Sequence, residues 1–199
     1  FYHRDVRDAL VQQSTKEENP AILVKIISSL AAWPDFDPTP FLKTPSYHNM
    51  VAFAAQSVIG QQRRTESLPQ LLAFVQQTPL AFSMRSFGVC LETVGELARE
   101  QKDAGVQPIL LKYLGAPQPT IRQSAATALG ALGDPRSLPA LQALAKLKGD
   151  TAAGAATEAI GKIRARQAAP EQSQAAWKLV EELSKRAEAL EKKVEIGRA

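Results

Sequence analysis

Leu129-Gly130-Ala131-Leu132-Gly133-Asp134-Pro135-Arg136-Ser137-Leu138-Pro139-Ala140-Leu141 is the run that decides how this chain of 199 residues folds. Just upstream, Pro119-Thr120 leads into Ile121, Ala125, Ala128, Leu129 and Leu132, whose spacing is that of one helix face. The run therefore reads as the end of one helix, a short turn, and the start of a second at Leu138-Pro139. Proline suits a first helical turn, where its missing N–H has no partner to lose.

The same pattern recurs 70 residues earlier: Val51, Ala55, Val58, Ile59 and Gly60 fall under Ile121, Ala125, Ala128, Leu129 and Gly130. The register carries into the next helix, with Ser67-Leu68-Pro69-Gln70-Leu71 under Ser137-Leu138-Pro139-Ala140-Leu141 and Phe74 under Leu144. Val94-Gly95 and Ile160-Gly161 supply further copies, and Leu30-Ala31 a divergent one. Anchors at Ala31, Gly60, Gly95, Gly130 and Gly161 are thus 29, 35, 35 and 31 residues apart. Pro-x-Leu at Pro40, Pro69, Pro108 and Pro139 marks the other helix of each unit. Helical pairs are expected near 3–32, 38–62, 66–99, 103–133 and 135–166, with Trp33-Pro34-Asp35-Phe36-Asp37-Pro38-Thr39-Pro40 as a stiff connection. One pair leaves an apolar face uncovered, so stacking on the next pair completes the core.

These residues resemble the signature of HEAT repeats, and of the variant found in phycobilin-lyase-like repeat proteins. The likeness is strongest over 117–166, weaker over 46–97 and poor before residue 38. It implies an all-α fold: an α-solenoid of about five HEAT-like hairpins over 1–166, followed by a C-terminal helix in 167–199. By analogy, the second helix of each pair lines the concave face and the first the convex face. Arg122 resembles the arginine that commonly follows the apolar residue in such units. The expectation for it is a bridge between adjacent turns, to Asp134 or Asp150, with ligand binding as the alternative.

The formal charge of +4 comes from interspersed basic and acidic residues, which disfavours nucleic acid as a partner. No run of apolar residues is long enough to span a bilayer, so no membrane partner is expected, and the N-terminus lacks a signal pattern. A single cysteine, Cys90, excludes an intramolecular disulfide, and the compartment stays open. Cys90 falls at the Ala125 position of its unit and reads as a buried, inert thiol rather than a nucleophile. The two histidines, His3 and His48, belong to no metal-ligand pattern; His48 is expected near the start of a helix over 46–61. No Gly-rich phosphate loop or nucleophile elbow occurs. No catalytic residue, metal or cofactor is assigned to the chain.

Downstream of Gln167-Ala168-Ala169-Pro170 a new helix is expected, with Ser173, Ala176, Val180, Leu183, Ala187, Leu190 and Val194 forming a narrow apolar seam. It reads either as a charged cap on the solenoid or as a coiled-coil segment giving self-association through 173–196. Arg63-Arg64 with Arg4 and Arg7 could form a basic rim, but Glu66, Glu92, Glu96 and Glu100 lie among them, favouring a solvated face. The aromatic group Trp33, Phe36, Phe41, Tyr47, Phe53, Phe74, Phe82 and Phe87 reads as core, with docking as the rival. Candidate interaction residues on the exposed concave positions are Phe53, Ser57, Glu92, Gln123, Thr127 and Glu158.

The order of irregular pairs, regular units and a Glu/Lys-rich helix resembles the C-terminal region of bacterial zinc aminopeptidases of the membrane-alanyl-aminopeptidase type. That resemblance implies a non-catalytic accessory domain that shapes substrate access or assembly, with its catalytic domain upstream. Phe1 in place of Met fits that expectation, whereas the His-Glu-x-x-His and Gly-x-Met-Glu-Asn motifs of the family are not in these residues. The alternative is a free-standing scaffold binding a protein on its concave face, and the third reading is a DNA-binding HEAT protein.

Overall fold

The computed structural model describes residues 4–77, 84–168 and the four positions 179, 180, 182 and 183. Among these residues all regular structure is helical: α1 Arg4–Ser14, α2 Pro20–Ser29, α3 Met50–Gln62, α4 Leu68–Gln76, α5 Met84–Gln101, α6 Gln107–Tyr113, α7 Pro119–Leu132, α8 Leu138–Ala145 and α9 over 152–168. Short helices (α4, α6, α8) alternate with long ones (α3, α5, α7, α9). Pro69, Pro108 and Pro139 sit in the first turn of the short helices, as the missing N–H predicts.

The turns between long and short helices repeat one backbone device. Arg63, Lys102 and Gly133 each take a positive φ (52°, 56° and 79°) directly after α3, α5 and α7. At the first two, the next N–H reaches back five residues, Arg64 to the Ile59 carbonyl at 3.1 Å and Asp103 to that of Ala98 at 2.8 Å. This satisfies carbonyls that a helix end leaves bare. Asp103 and Asp134 then cap the following turn, accepting from the N–H of Gly105 and Arg136.

Two buried clusters follow the stack. The first joins Leu23, Ile27 and Leu30 of the α2 region with Phe36 and with Val51, Ala54 and Val58 of α3. The second begins with Ala55 and Ile59 on another side of α3 and runs through Leu91, Val94, Leu129 and Leu141 to Ile163. Helix α3 thus belongs to both, and each helix pair is completed by its neighbour. All eight apolar residues paired by the 70-residue offset, Val51 to Ile59 and Ile121 to Leu129, are at most 3% exposed.

Three expectations need correction. The pair expected over 38–62 lacks its first helix: Thr39–Lys43 and Tyr47–Asn49 are 3-10 turns. Pro38, Pro40 and Pro45 remove three N–H donors and push the residues before them out of the helical region, which leaves no room for an α-helix. The helix expected over 46–61 starts at Met50, because His48 and Asn49 both have positive φ. Finally, α5 runs to Gln101 rather than 99, one turn further past its anchor than α3 or α7. The seam over 173–194 lies outside the described residues except for Val180 and Leu183.

Candidate docking face

Glycines set the register of the long helices. A Cβ added to Gly60 would come within 3.2 Å of Thr93 Oγ1; one on Gly95, within 3.0 Å of Ala128 Cα; one on Gly130, within 2.8 Å of Ala159 Cα. In each case the partner lies two residues before the next anchor. That constant relation means equivalent positions on α3, α5, α7 and α9 share one face. Ser57, Glu92, Thr127 and Glu158, each three residues before an anchor, therefore form a row across the four helices. Phe53 and Gln123 lie one turn earlier. Gln123 and Glu158 are exposed, and Phe53, Ser57, Glu92 and Thr127 are half-buried.

Glu92 is the centre of that face. Burial pushes its carboxyl above the usual range; the Ser124 hydroxyl acts against this, Glu96 adds to it, and Lys162 opposes it. The candidate list omitted Ser124, Glu96 and Lys162. Glu96 and Lys162 each stand one residue after an anchor, so the same offset that found Glu92 could have found them. The face carries acidic groups (Glu92, Glu96, Glu158), polar ones (Ser57, Gln123, Ser124, Thr127) and the basic Lys162, with Phe53 as its apolar element.

The arginines hold the stack together from within. Arg122 donates to Asp150 Oδ2 through Nε at 3.0 Å and Nη2 at 2.8 Å, and to the carbonyls of Ala116 and Pro117. Asp150 also caps α9 through the Ala152 N–H at 2.9 Å; that bond first, and Arg122 after it, lowers its pKa. Asp134, the other partner considered for Arg122, is paired with Arg136 instead. Arg166 donates to the carbonyls of Gly130 and Ala131 at the end of α7. Arg63 pairs with Glu100, Arg7 with Asp8 and Asp35, and Arg64 with Glu66 and the Phe36 carbonyl. Of the residues considered as a basic rim, Arg63 thus joins α3 to α5, while Arg7 and Arg64 hold the connection at Asp35 and Phe36.

Cys90 is fully buried, and burial pushes its thiol up to about 12. At neutral pH it is a thiol and not a nucleophile. His48 packs edge-on against exposed Tyr47, ring centroids 4.0 Å apart, while His3 lies outside the described residues. Phe87 and Phe36 are core and Trp33, Phe41 and Phe74 pack against it; Phe82 lies outside the described residues.

A second concavity escaped the sequence. Where the first helix of the second pair is replaced by 3-10 turns, a cleft of about 820 Å3 opens against α4, lined by Pro40, Leu42, Lys43, Ala73, Phe74 and Gln77. It lies beside the 3-10 turns that stand in place of that helix, and no local motif announces it.

No helix among the described residues is long and apolar enough to cross a membrane. Comparison with curated proteins found no match. Residues 88–161, from α5 through α9, match the family described as HEAT repeats, and the described residues of that stretch form the all-α helical repeat such a match implies.

Proposed function

We propose that the chain is a non-catalytic docking module that holds a protein against its long-helix face. The observation that carries this reading is Glu92, a half-buried carboxylate kept at the centre of an otherwise regular face. A charge held where burial penalises it weakens the fold, and such costs are typical of positions kept for binding. At Gly95 and Gly130 the long helices approach backbone to backbone, whereas a hollow of about 430 Å3 lies between Gln76 at the end of α4 and Pro108, Ile109 and Lys112 of α6. Tighter spacing on one layer bends a stack towards it, which supports reading the long-helix face as the concave one. Incorporation of a photo-crosslinking amino acid at Phe53 or Gln123, in the source cells, should capture a discrete protein. Equal capture from Lys112 on the short-helix side, or none from the long-helix face, would remove this reading.

The finer reading, resting on the resemblance, is the accessory C-terminal domain of a bacterial zinc aminopeptidase, whose catalytic domain would be the protein held. Its support is the order of elements: an irregular start, then regular units, then a Glu/Lys-rich segment. The reading frame upstream of Phe1 tests it, since a coding sequence without His-Glu-x-x-His there leaves only the free-standing scaffold. Duplex DNA has less support, because Arg7, Arg63 and Arg64 are engaged by carboxylates.

A further inference from the structure

The joints between successive long helices share one register but are not made of the same residues, and the first joint differs at two positions. The residue two before each anchor, which faces the glycine of the preceding long helix, is Ala128 in α7 and Ala159 in α9 but Thr93 in α5. At Gly95 and Gly130 the obstacle to a Cβ is therefore the neighbouring backbone, Ala128 Cα at 3.0 Å and Ala159 Cα at 2.8 Å, whereas at Gly60 it is the Thr93 side chain. The residue four before each anchor is Leu91 in α5 and Ala126 in α7, both fully buried; in α3 it is Gln56, buried as completely. The backbones of α3 and α5 thus stand further apart than those of the next two joints, and an amide lies between them where the others hold apolar groups.

The Gln56 amide has particular partners. Its nitrogen donates to the Ser86 carbonyl and its oxygen accepts from the Cys90 N–H, each at 3.2 Å. Its neighbours dictate that orientation, since a carbonyl needs a donor and an N–H an acceptor. Ser86 and Cys90 are four residues apart in α5, so these two backbone groups are also the pair that an α-helix joins to each other. When Gln56 withdraws, neither is orphaned, and the released amide finds water. Breaking an ordinary buried polar contact strands one partner away from solvent; this one strands none. Other polar links across the joint, Thr39 with Ser67 at 3.1 Å and exposed Arg63 with Glu100, are hydroxyl and charge pairs that water replaces.

We propose that the α3–α5 joint is a hinge with Gln56 as its latch, on which α1–α3 moves as one block against α4–α9. Each block is tied within itself. Gln62 donates to the Ala31 and Trp33 carbonyls, and Arg64, just after α3, to that of Phe36, which binds α3 back to the α2 region. In the other block Tyr113 donates to the Val75 carbonyl and binds α6 to α4. The first buried cluster also ends on α3. Movement at the joint changes the distance from Phe53, on α3, to Glu92, Gln123 and Thr127, on the second block. The long-helix face therefore widens or closes while α5, α7 and α9 keep their packing. The inference concerns the joint alone and stands whether or not a protein docks on that face.

Spin labels on the full chain test the hinge. Gln61→Cys on α3 with Lys112→Cys on α6 gives a pair across the joint, and Lys112→Cys with Thr157→Cys on α9 a pair within the second block; all three sites are exposed, and buried Cys90 stays unlabelled. The distance distribution from double electron–electron resonance should be about twice as wide across the joint as within the block. Gln56→Leu then places at this joint the side chain that Leu91 supplies at the next. Opening would expose that apolar group to water, so the variant should hold the joint shut and narrow the distribution to the width seen within the block. Equal widths in the parent chain overturn the hinge. A Gln56→Leu chain with parental helical circular dichroism and a distribution as wide as before overturns Gln56 as its latch.

Discussion

Gly95→Ala is the sharpest probe of how this stack is held. An alanine in mid-helix is worth about 1 kcal/mol of helix propensity over glycine, so the local effect favours the variant. Against it, the new Cβ would stand 2.9 Å from the Ala128 carbonyl carbon and 3.0 Å from its Cα, both backbone atoms that cannot rotate aside. Helices α5 and α7 must separate, loosening Leu91, Val94, Ala125 and Leu129, all fully buried. Overpacking of this kind costs about 1–3 kcal/mol, and a backbone obstacle puts Gly95 at the upper end, for a net loss of about 2 kcal/mol. Gly60→Ala is the matched control, because its Cβ meets only the Thr93 side chain, at 3.2 Å from Oγ1, which can adjust. That variant should lie within about 1 kcal/mol of the parent. Urea unfolding followed by circular dichroism at the helix band measures both. A Gly95→Ala protein as stable as the parent, or a Gly60→Ala protein that loses more, would refute the glycine register as the basis of stacking.

Glu92→Gln should stabilise the protein at neutral pH. Its raised pKa means that ionisation is penalised in the fold, so the gain should be present at pH 7 and vanish below the unfolded carboxylate value of about 4.3; an acid-independent gain, or none, contradicts this. Asp150 has the opposite sign: its lowered pKa gives stability that is present above about 3.9 and lost as pH falls through the folded value. Asp150→Asn should therefore flatten the acid limb of a stability–pH curve measured by thermal unfolding. Arg122→Ala should lower the melting temperature more than Arg136→Ala, since Arg122 also ties the Ala116 and Pro117 carbonyls while the Arg136 side chain is 63% exposed. Equal shifts in two melting curves would contradict it. Cys90 should resist iodoacetamide at pH 8 in the folded chain and react only in denaturant, as mass spectrometry would record.

The legible part of this protein was whatever repeats along the chain. Leu129-Gly130 and Ile59-Gly60 announce buried helix ends because a 3.6-residue period and a glycine at one phase are local properties that recur from unit to unit. Cys90 could be placed in the core from the same period, and Arg122 could be paired with one of two aspartates. Choosing Asp150 over Asp134 was beyond it, because Asp134 is captured by Arg136, two residues away. The docking-face row was likewise readable from the anchors, while Ser124 beside Glu92 was missed because it comes from the neighbouring helix.

Sequence by itself determined the helical class, the proline-led short helices, the glycine anchors and the inert thiol, since each depends on residues within a few turns of one another. Only the tertiary structure decided that the second pair has no first helix and leaves a cleft against α4, that α5 overshoots its anchor by a turn, and that a Cβ on Gly161, unlike one on Gly60, Gly95 or Gly130, would meet no described residue within 4 Å. These depend on which surfaces meet across units some 30 residues apart, and a periodic pattern specifies how each helix can pack without saying whether another is there to pack against.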